Sequence, residues 1–283
     1  MSSLQRQQKA VPPGAAFLFA LAVAILVAGC AGAGSFGGSR ASVVAWALPQ
    51  GFSAETLHAG AFDLLALQRS GVGQSLTIYI EGDGAAWHSP WSPPADPTPQ
   101  RPVALAMAAA DVSGSVAYLG RPCQYLDAGA LQGCAVGYWT QRRFAPEVVA
   151  AYMAALDSLK ARHGVARLNL VGHSGGGVIA TLLAQRRNDI DTLVTVASPL
   201  ALQAWVQHHL VSPLTGSLDP ATSVMPVLVA KAVHFAGEKD TVVPPAVIDV
   251  FVRTQGGRMV GLADQDHECC WASAWPRLLE QLQ

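Results

Sequence analysis

A serine set among glycines constrains this chain more than any other feature. Leu168-Asn169-Leu170-Val171-Gly172-His173-Ser174-Gly175-Gly176-Gly177 places Ser174 two residues after Gly172 and two before Gly176. A β-type apolar run precedes the motif, and a helical run, Val178-Ile179-Ala180-Thr181-Leu182-Leu183, follows it. A strand that becomes a helix within so few residues brings backbone against backbone, and positions lacking a Cβ tolerate that approach. The turn holds Ser174 in a strained backbone region with its Oγ exposed. It also sets Ser174 at a helix N-terminus, where free N–H groups favour developing negative charge. Those are the requirements of a nucleophilic serine. A phosphate loop also uses glycines at a strand–helix turn, but here no Lys follows and there is no G-x-G-x-x-G.

The rest of the chain alternates in the same way. Strand-like runs fall at 61–67, 76–80, 116–119, 168–171, 192–196, 227–234 and 258–262; helical runs fall at 102–111, 146–163, 176–187, 245–255 and 270–283. This predicts an α/β fold with a mostly parallel sheet and helices on both faces. No repeat or second linker interrupts 43–283, which reads as one domain. Three stretches break the alternation: 85–101, rich in proline; 120–144, with two cysteines; and 200–225, with a short helical pattern. Connections this long form lids and pocket walls, so a small cap insertion is expected. The apolar pieces 200–210 and 87–91 suit an acyl-chain pocket, and equally suit ordinary packing under loops. A composition of 51% hydrophobic and 13% charged residues excludes disorder. A net charge of −1 without a basic block excludes a nucleic-acid footprint.

The N-terminus reads as an address. Arg6 and Lys9 precede an unbroken apolar stretch at 15–28, then Gly29 and Cys30; this is the layout of a secretory signal. Val27-Ala28-Gly29-Cys30 resembles a bacterial lipobox, with Val27 where Leu is commoner. The resemblance implies a signal peptide over 1–29, cleavage before Cys30, and a lipid on its thiol that ties the protein to a membrane. Ala31 follows Cys30, which by resemblance to Gram-negative lipoproteins implies the outer membrane. The alternatives are a plain cleaved signal or an uncleaved anchor, since 14–33 carries no charge and is just long enough to span a bilayer core. Every version puts the domain outside the cytoplasm. Residues 30–42, rich in Gly, Ser and Ala, read as a flexible tether. In that compartment Cys123, Cys134, Cys269 and Cys270 can pair in three ways. The short loop between Cys123 and Cys134 favours that bridge and leaves Cys269 and Cys270 open. No spacing supports a zinc site.

Taken with these motifs, the chain resembles the α/β-hydrolase superfamily over nearly all of the domain. It looks most like a group of bacterial lipoproteins and secreted hydrolases with an acidic loop after the third strand, here Ile78-Tyr79-Ile80-Glu81-Gly82-Asp83-Gly84. The group also carries Asp96-Pro97-Thr98-Pro99, Tyr118-Leu119-Gly120-Arg121-Pro122-Cys123-Gln124-Tyr125 and Tyr138-Trp139-Thr140. The resemblance implies a triad in the order serine, acid, histidine. Gly237-Glu238-Lys239-Asp240 resembles the acid loop, which implies Asp240, with Glu238 as the rival. His267 alone lies beyond Asp240, before the final helical run, and takes the place of the base. His173 is turned away by its position beside Ser174, and the remaining histidines are left to the surface or pocket wall. The implied oxyanion donors are the N–H groups of Gly175 and Asp83, the latter with Gly84 as its neighbour. An acidic pair here departs from the usual His-Gly pattern. The N–H is therefore expected to face the site while the Glu81 and Asp83 carboxylates are held elsewhere. The implied activity is cleavage of an ester or related acyl bond in a small molecule or lipid, without metal or organic cofactor. A non-catalytic binding module, a peptidase and an acyltransferase remain open on the same fold.

Overall fold

The computed structural model describes residues 36–85, 92–223 and 231–282. Eight strands form one sheet: β1 Ser53–Ala59, β2 Phe62–Arg69, β3 Ser75–Ile80, β4 Ser115–Leu119, β5 Arg167–His173, β6 Ile190–Val196, β7 Lys231–Gly237 and β8 Arg258–Leu262. Their order is β1-β2-β4-β3-β5-β6-β7-β8. β2 runs antiparallel to both neighbours, and every later pairing is parallel. The helices are α1 Arg40–Ala47, α2 Val103–Ala110, α3 Ala128–Gln132, α4 Pro146–His163, α5 Gly175–Ala184, α6 Leu202–His209, α7 Pro245–Gln255 and α8 Trp271–Glu280. This is the α/β-hydrolase fold.

Strand alternation sorts the core into two layers. Leu76, Ile78, Ile80, Leu168 and Leu170 pack with α4 and α5 on one face. Tyr79, Val116, Tyr118 and Val171 pack with α1, α2 and α8 on the other. α5 is buried along its whole length: its residues are apolar except Thr181, whose hydroxyl donates to the Gly177 carbonyl at 2.8 Å. The chain leaves β3 for β4 on one side, then crosses back to β5 on the other. The loops after β3 and β5 therefore diverge, and the crevice between them is where α/β sheets bind ligands.

Three elements begin where the sequence reading placed none: α1, β1 and α3, the last a short helix within 120–144 that buries no residue. The expected tether at 30–42 runs into ordered structure: Phe36 stacks on Trp46 at 3.9 Å and α1 starts at Arg40. The Gly/Ser composition concealed an N-cap, Ser39, whose hydroxyl accepts from Ser42 N, and the buried i, i+4 pair Val43 and Ala47. β1 is an edge strand that buries only Leu57 and Ala59, too little alternation to read. Of the strand expected at 227–234, residues 227–230 lie outside the described residues, as do the leader, Cys30 and the apolar piece 87–91. Among the described residues no helix is long and apolar enough to cross a membrane. Cys123 and Cys134 form a disulfide with Cα atoms 5.9 Å apart, and Cys269 pairs with Cys270.

Candidate active site

The glycines around Ser174 are required by contact. A Cβ on Gly172 would lie 2.3 Å from the Gly176 carbonyl, and one on Gly176 would lie 2.1 Å from the Ile80 carbonyl oxygen. Without them β5 could not turn into α5 against the end of β3. Ser174 occupies φ 50°, ψ −124°, a region seldom used by residues with a side chain. Its N–H donates to Val196 O at 2.8 Å, which ties the turn to the end of β6.

Three side chains from three loops meet at this turn. His267 Nε2 lies 3.1 Å from Ser174 Oγ, and His267 Nδ1 lies 2.9 Å from Asp240 Oδ2. The Asp240 side chain is fully buried, and its other oxygen accepts the N–H groups of Val242 and Val243, both at 2.8 Å. Asp240 follows β7, and His267 lies between β8 and α8, so consecutive strand ends supply both. Glu238, the rival acid, sits at the surface beside Gly261. His173 makes no hydrogen bond to Oγ. Its Nε2–H donates to the His267 carbonyl at 2.8 Å, so it supports the loop that carries the base. Burial and the neighbouring His267 push its pKa down to about 3, leaving it a neutral donor. His234 is buried against Phe251 and Thr195, away from this cluster. Among the described residues no group of acidic, His and Cys side chains is arranged to hold a metal ion.

The opposite wall is the loop after β3. A Cβ on Gly82 would lie 3.4 Å from Ser174 Cβ, so this loop passes directly over the nucleophile. Gly175 opens α5 and has no carbonyl within the helix to receive its N–H. The Asp83 N–H makes no hydrogen bond among the described residues. Neither does the Gly84 N–H; Gly84 has φ 94°, and a Cβ there would collide with the Pro97 carbonyl. The Asp83 carboxylate is held by Arg121 Nη1 at 2.9 Å and Arg143 Nη1 at 2.7 Å. Burial disfavours its charge, but Arg143 and then Arg121 outweigh burial and hold the carboxyl below the usual range. Glu81 is buried and accepts from the N–H of Gly82 at 2.8 Å, and burial pushes its pKa up to about 7. The arginine pair was the part not anticipated from sequence. Arg121 lay within a quoted motif without a partner to explain it, and Arg143 carried no local signal.

The family model for the alpha/beta hydrolase fold matches residues 132–216, which include the serine turn but not Asp240 or His267. Among curated proteins none matches the chain in sequence. Solved structures agree with the fold at low identity. XC6422 from Xanthomonas campestris, described as an α/β serine hydrolase without lid, is 15% identical, with a TM-score of 0.54 over 81% of this chain and 94% of its own. Est1E from Butyrivibrio proteoclasticus is 15% identical, with a TM-score of 0.52 over 81% of this chain and 98% of its own. Mouse alpha/beta hydrolase domain-containing protein 10 is 15% identical, with a TM-score of 0.54 over 82% of this chain and 100% of its own.

Proposed function

We propose that this chain is a serine hydrolase that cleaves an ester or related acyl bond through Ser174, His267 and Asp240. The observation that carries the reading is the unbroken relay from the buried Asp240 through His267 to Oγ of a serine on a strained strand–helix turn. In this mechanism Ser174 Oγ attacks the substrate carbonyl while His267 Nε2 takes the hydroxyl proton. Asp240 accepts Nδ1–H, fixes the tautomer and stabilises the imidazolium. The N–H groups of Gly175 and Asp83 receive the oxyanion. His267 then returns the proton to the leaving group, and water hydrolyses the acyl-enzyme in a second, equivalent step.

The test is labelling with a tagged fluorophosphonate, together with turnover of p-nitrophenyl esters of graded chain length. Ser174 should be the modified residue, and Ser174→Ala and His267→Ala should each lose both labelling and turnover. A folded protein with an unmodified Ser174 would mark the fold as a binding module instead. The ester series reports the acyl length that the pocket accepts.

The same reading places the enzyme at a membrane in the cell envelope, outside the cytoplasm, through a lipid on Cys30. Its support is the charged start, the apolar stretch and the Val27–Cys30 motif. Detergent phase partitioning checks it: the wild type should enter the detergent phase, and Cys30→Ala should stay in the aqueous phase.

A further inference from the structure

Four stretches quoted from the sequence take no part in the relay: 81–84, 96–99, 121–125 and 138–140. The fold brings them together beside the nucleophile. Gln124 sits between Cys123, with φ 71°, and Tyr125, with φ 60°, both in the left-handed region that side chains avoid. The surroundings enforce this turn. Cys123 is bonded to Cys134, Tyr125 N donates to Thr98 Oγ1 at 2.8 Å, and the Tyr118 and Tyr125 hydroxyls meet at 2.9 Å. Strain of this kind persists where a residue must be aimed.

What the turn aims is the Gln124 amide. Its Oε1 accepts Arg121 N at 3.0 Å, and its Nε2 donates to Gly82 O at 3.0 Å and Pro97 O at 3.4 Å. A trans peptide directs its C=O and N–H to opposite sides. With the Gly82 carbonyl turned to Gln124, the Asp83 N–H points away from Gln124, on a loop that lies against Ser174.

Charge poses a second problem at the same place. A Cβ on Gly175 would lie 1.9 Å from Asp83 Oδ1 and 2.9 Å from Arg121 Nη1. The Asp83 carboxylate is thus packed against the residue that would bind the oxyanion, where an uncompensated negative charge opposes the reaction. Arg121 takes one carboxylate oxygen and Arg143 the other. Arg121 Nη2 is anchored on the Arg143 carbonyl at 2.6 Å, and Arg143 Nε on the Thr140 carbonyl at 2.6 Å.

We propose, on the reading of Ser174 as nucleophile, that Arg121, Gln124 and Arg143 are positioning residues for the second oxyanion donor. Gln124 turns the Asp83 N–H toward the reacting carbonyl, and the two arginines cancel the Asp83 charge beside Gly175.

The experiment measures kcat and KM on one p-nitrophenyl ester, with folding checked by circular dichroism and thermal melting. Wild type that neither turns over ester nor labels at Ser174 overturns the serine-hydrolase reading itself, before any variant is compared. Given an active wild type, Arg121→Met should lower kcat about 100-fold with KM unchanged, the scale of one lost oxyanion donor. Adding Asp83→Asn to Arg121→Met should restore kcat by about tenfold, because the oxygen facing Gly175, which has lost its Arg121 partner while Arg143 still holds the other, no longer carries charge. A purely structural role for Arg121 gives no such rescue. Gln124→Met should also lower kcat about 100-fold at constant KM, without rescue by Asp83→Asn, since every charge is still present. A double variant no faster than Arg121→Met overturns the charge-cancelling role. A Gln124→Met enzyme with wild-type kcat overturns the orienting role. Should Arg121→Met fail to fold, the same comparison is made on Arg143→Met.

Discussion

Ser174 keeps a backbone conformation that a glycine would hold more easily. Strain of this type costs about 1–3 kcal/mol, against which glycine adds roughly 0.5–1 kcal/mol of unfolded-state entropy. Ser174→Gly should therefore be inactive yet more stable than Ser174→Ala, which keeps the Cβ and the strain. Urea unfolding of the two variants checks this, and equal midpoints would mean that the turn is relaxed. Asp240 supports a sharper expectation. Its Oδ1 is committed to Val242 N–H and Val243 N–H, so in Asp240→Asn the oxygen must remain there and the NH2 must face His267. His267 Nδ1 then becomes an acceptor and Nε2 carries the proton, leaving nothing to take the Ser174 proton. Turnover should fall by about four orders of magnitude, with the fold intact.

At the scale of elements, the strands and helices that bury an apolar face were legible in the sequence, because burial imposes period on composition. The serine turn was legible because its glycines are forced by contact. β1 and α1 were not, because one lies at a polar sheet edge and the other in a stretch that looks like linker. Asp240 was readable through the Gly237–Asp240 loop and its place in the chain, and His267 only through its order along the chain, since no local pattern marks it. The Asp83–Arg121–Arg143 cluster joins residues far apart in sequence, and no spacing rule connects them. The Cys123–Cys134 bridge belongs to this cluster, since it closes the turn carrying Gln124. Replacing both cysteines with serine should cost about 3 kcal/mol by loop entropy, measured by urea unfolding under non-reducing conditions. The same variant should lose kcat, because the turn that aims Gln124 is released.

For the whole molecule, buried titratable groups set the response to pH. His234 is pushed down to about 4 and His173 to about 3, both by burial first. Between those values and the ordinary histidine pKa, the unfolded chain binds more protons, so stability falls as pH drops below about 6.5. Glu81 acts in the opposite sense. Its folded pKa of about 7 lies above the unfolded value, so its contribution is complete below about 4.5 and is lost as pH rises to 7. The two histidines outnumber it, so net stability still falls as pH drops from about 6.5 to 4.5. Glu81→Gln isolates the opposing contribution. The stability of this variant relative to wild type should grow from pH 4.5 to 7, by on the order of 3 kcal/mol, and then level off. A difference that stays constant with pH would place Glu81 in water.

The contact between Gly175 and the Asp83 carboxylate links two distant stretches of the chain through shared space. Even alanine at 175 would need the volume that Asp83 now fills, so position 175 can vary only after position 83 has changed. Among homologues, a side chain at 175 should therefore appear only with a smaller residue at 83. The arginines at 121 and 143 would then have lost the carboxylate that pairs them, and would be free to drift. The order of substitution is built into the packing: position 83 first, then 175, with the arginines released last.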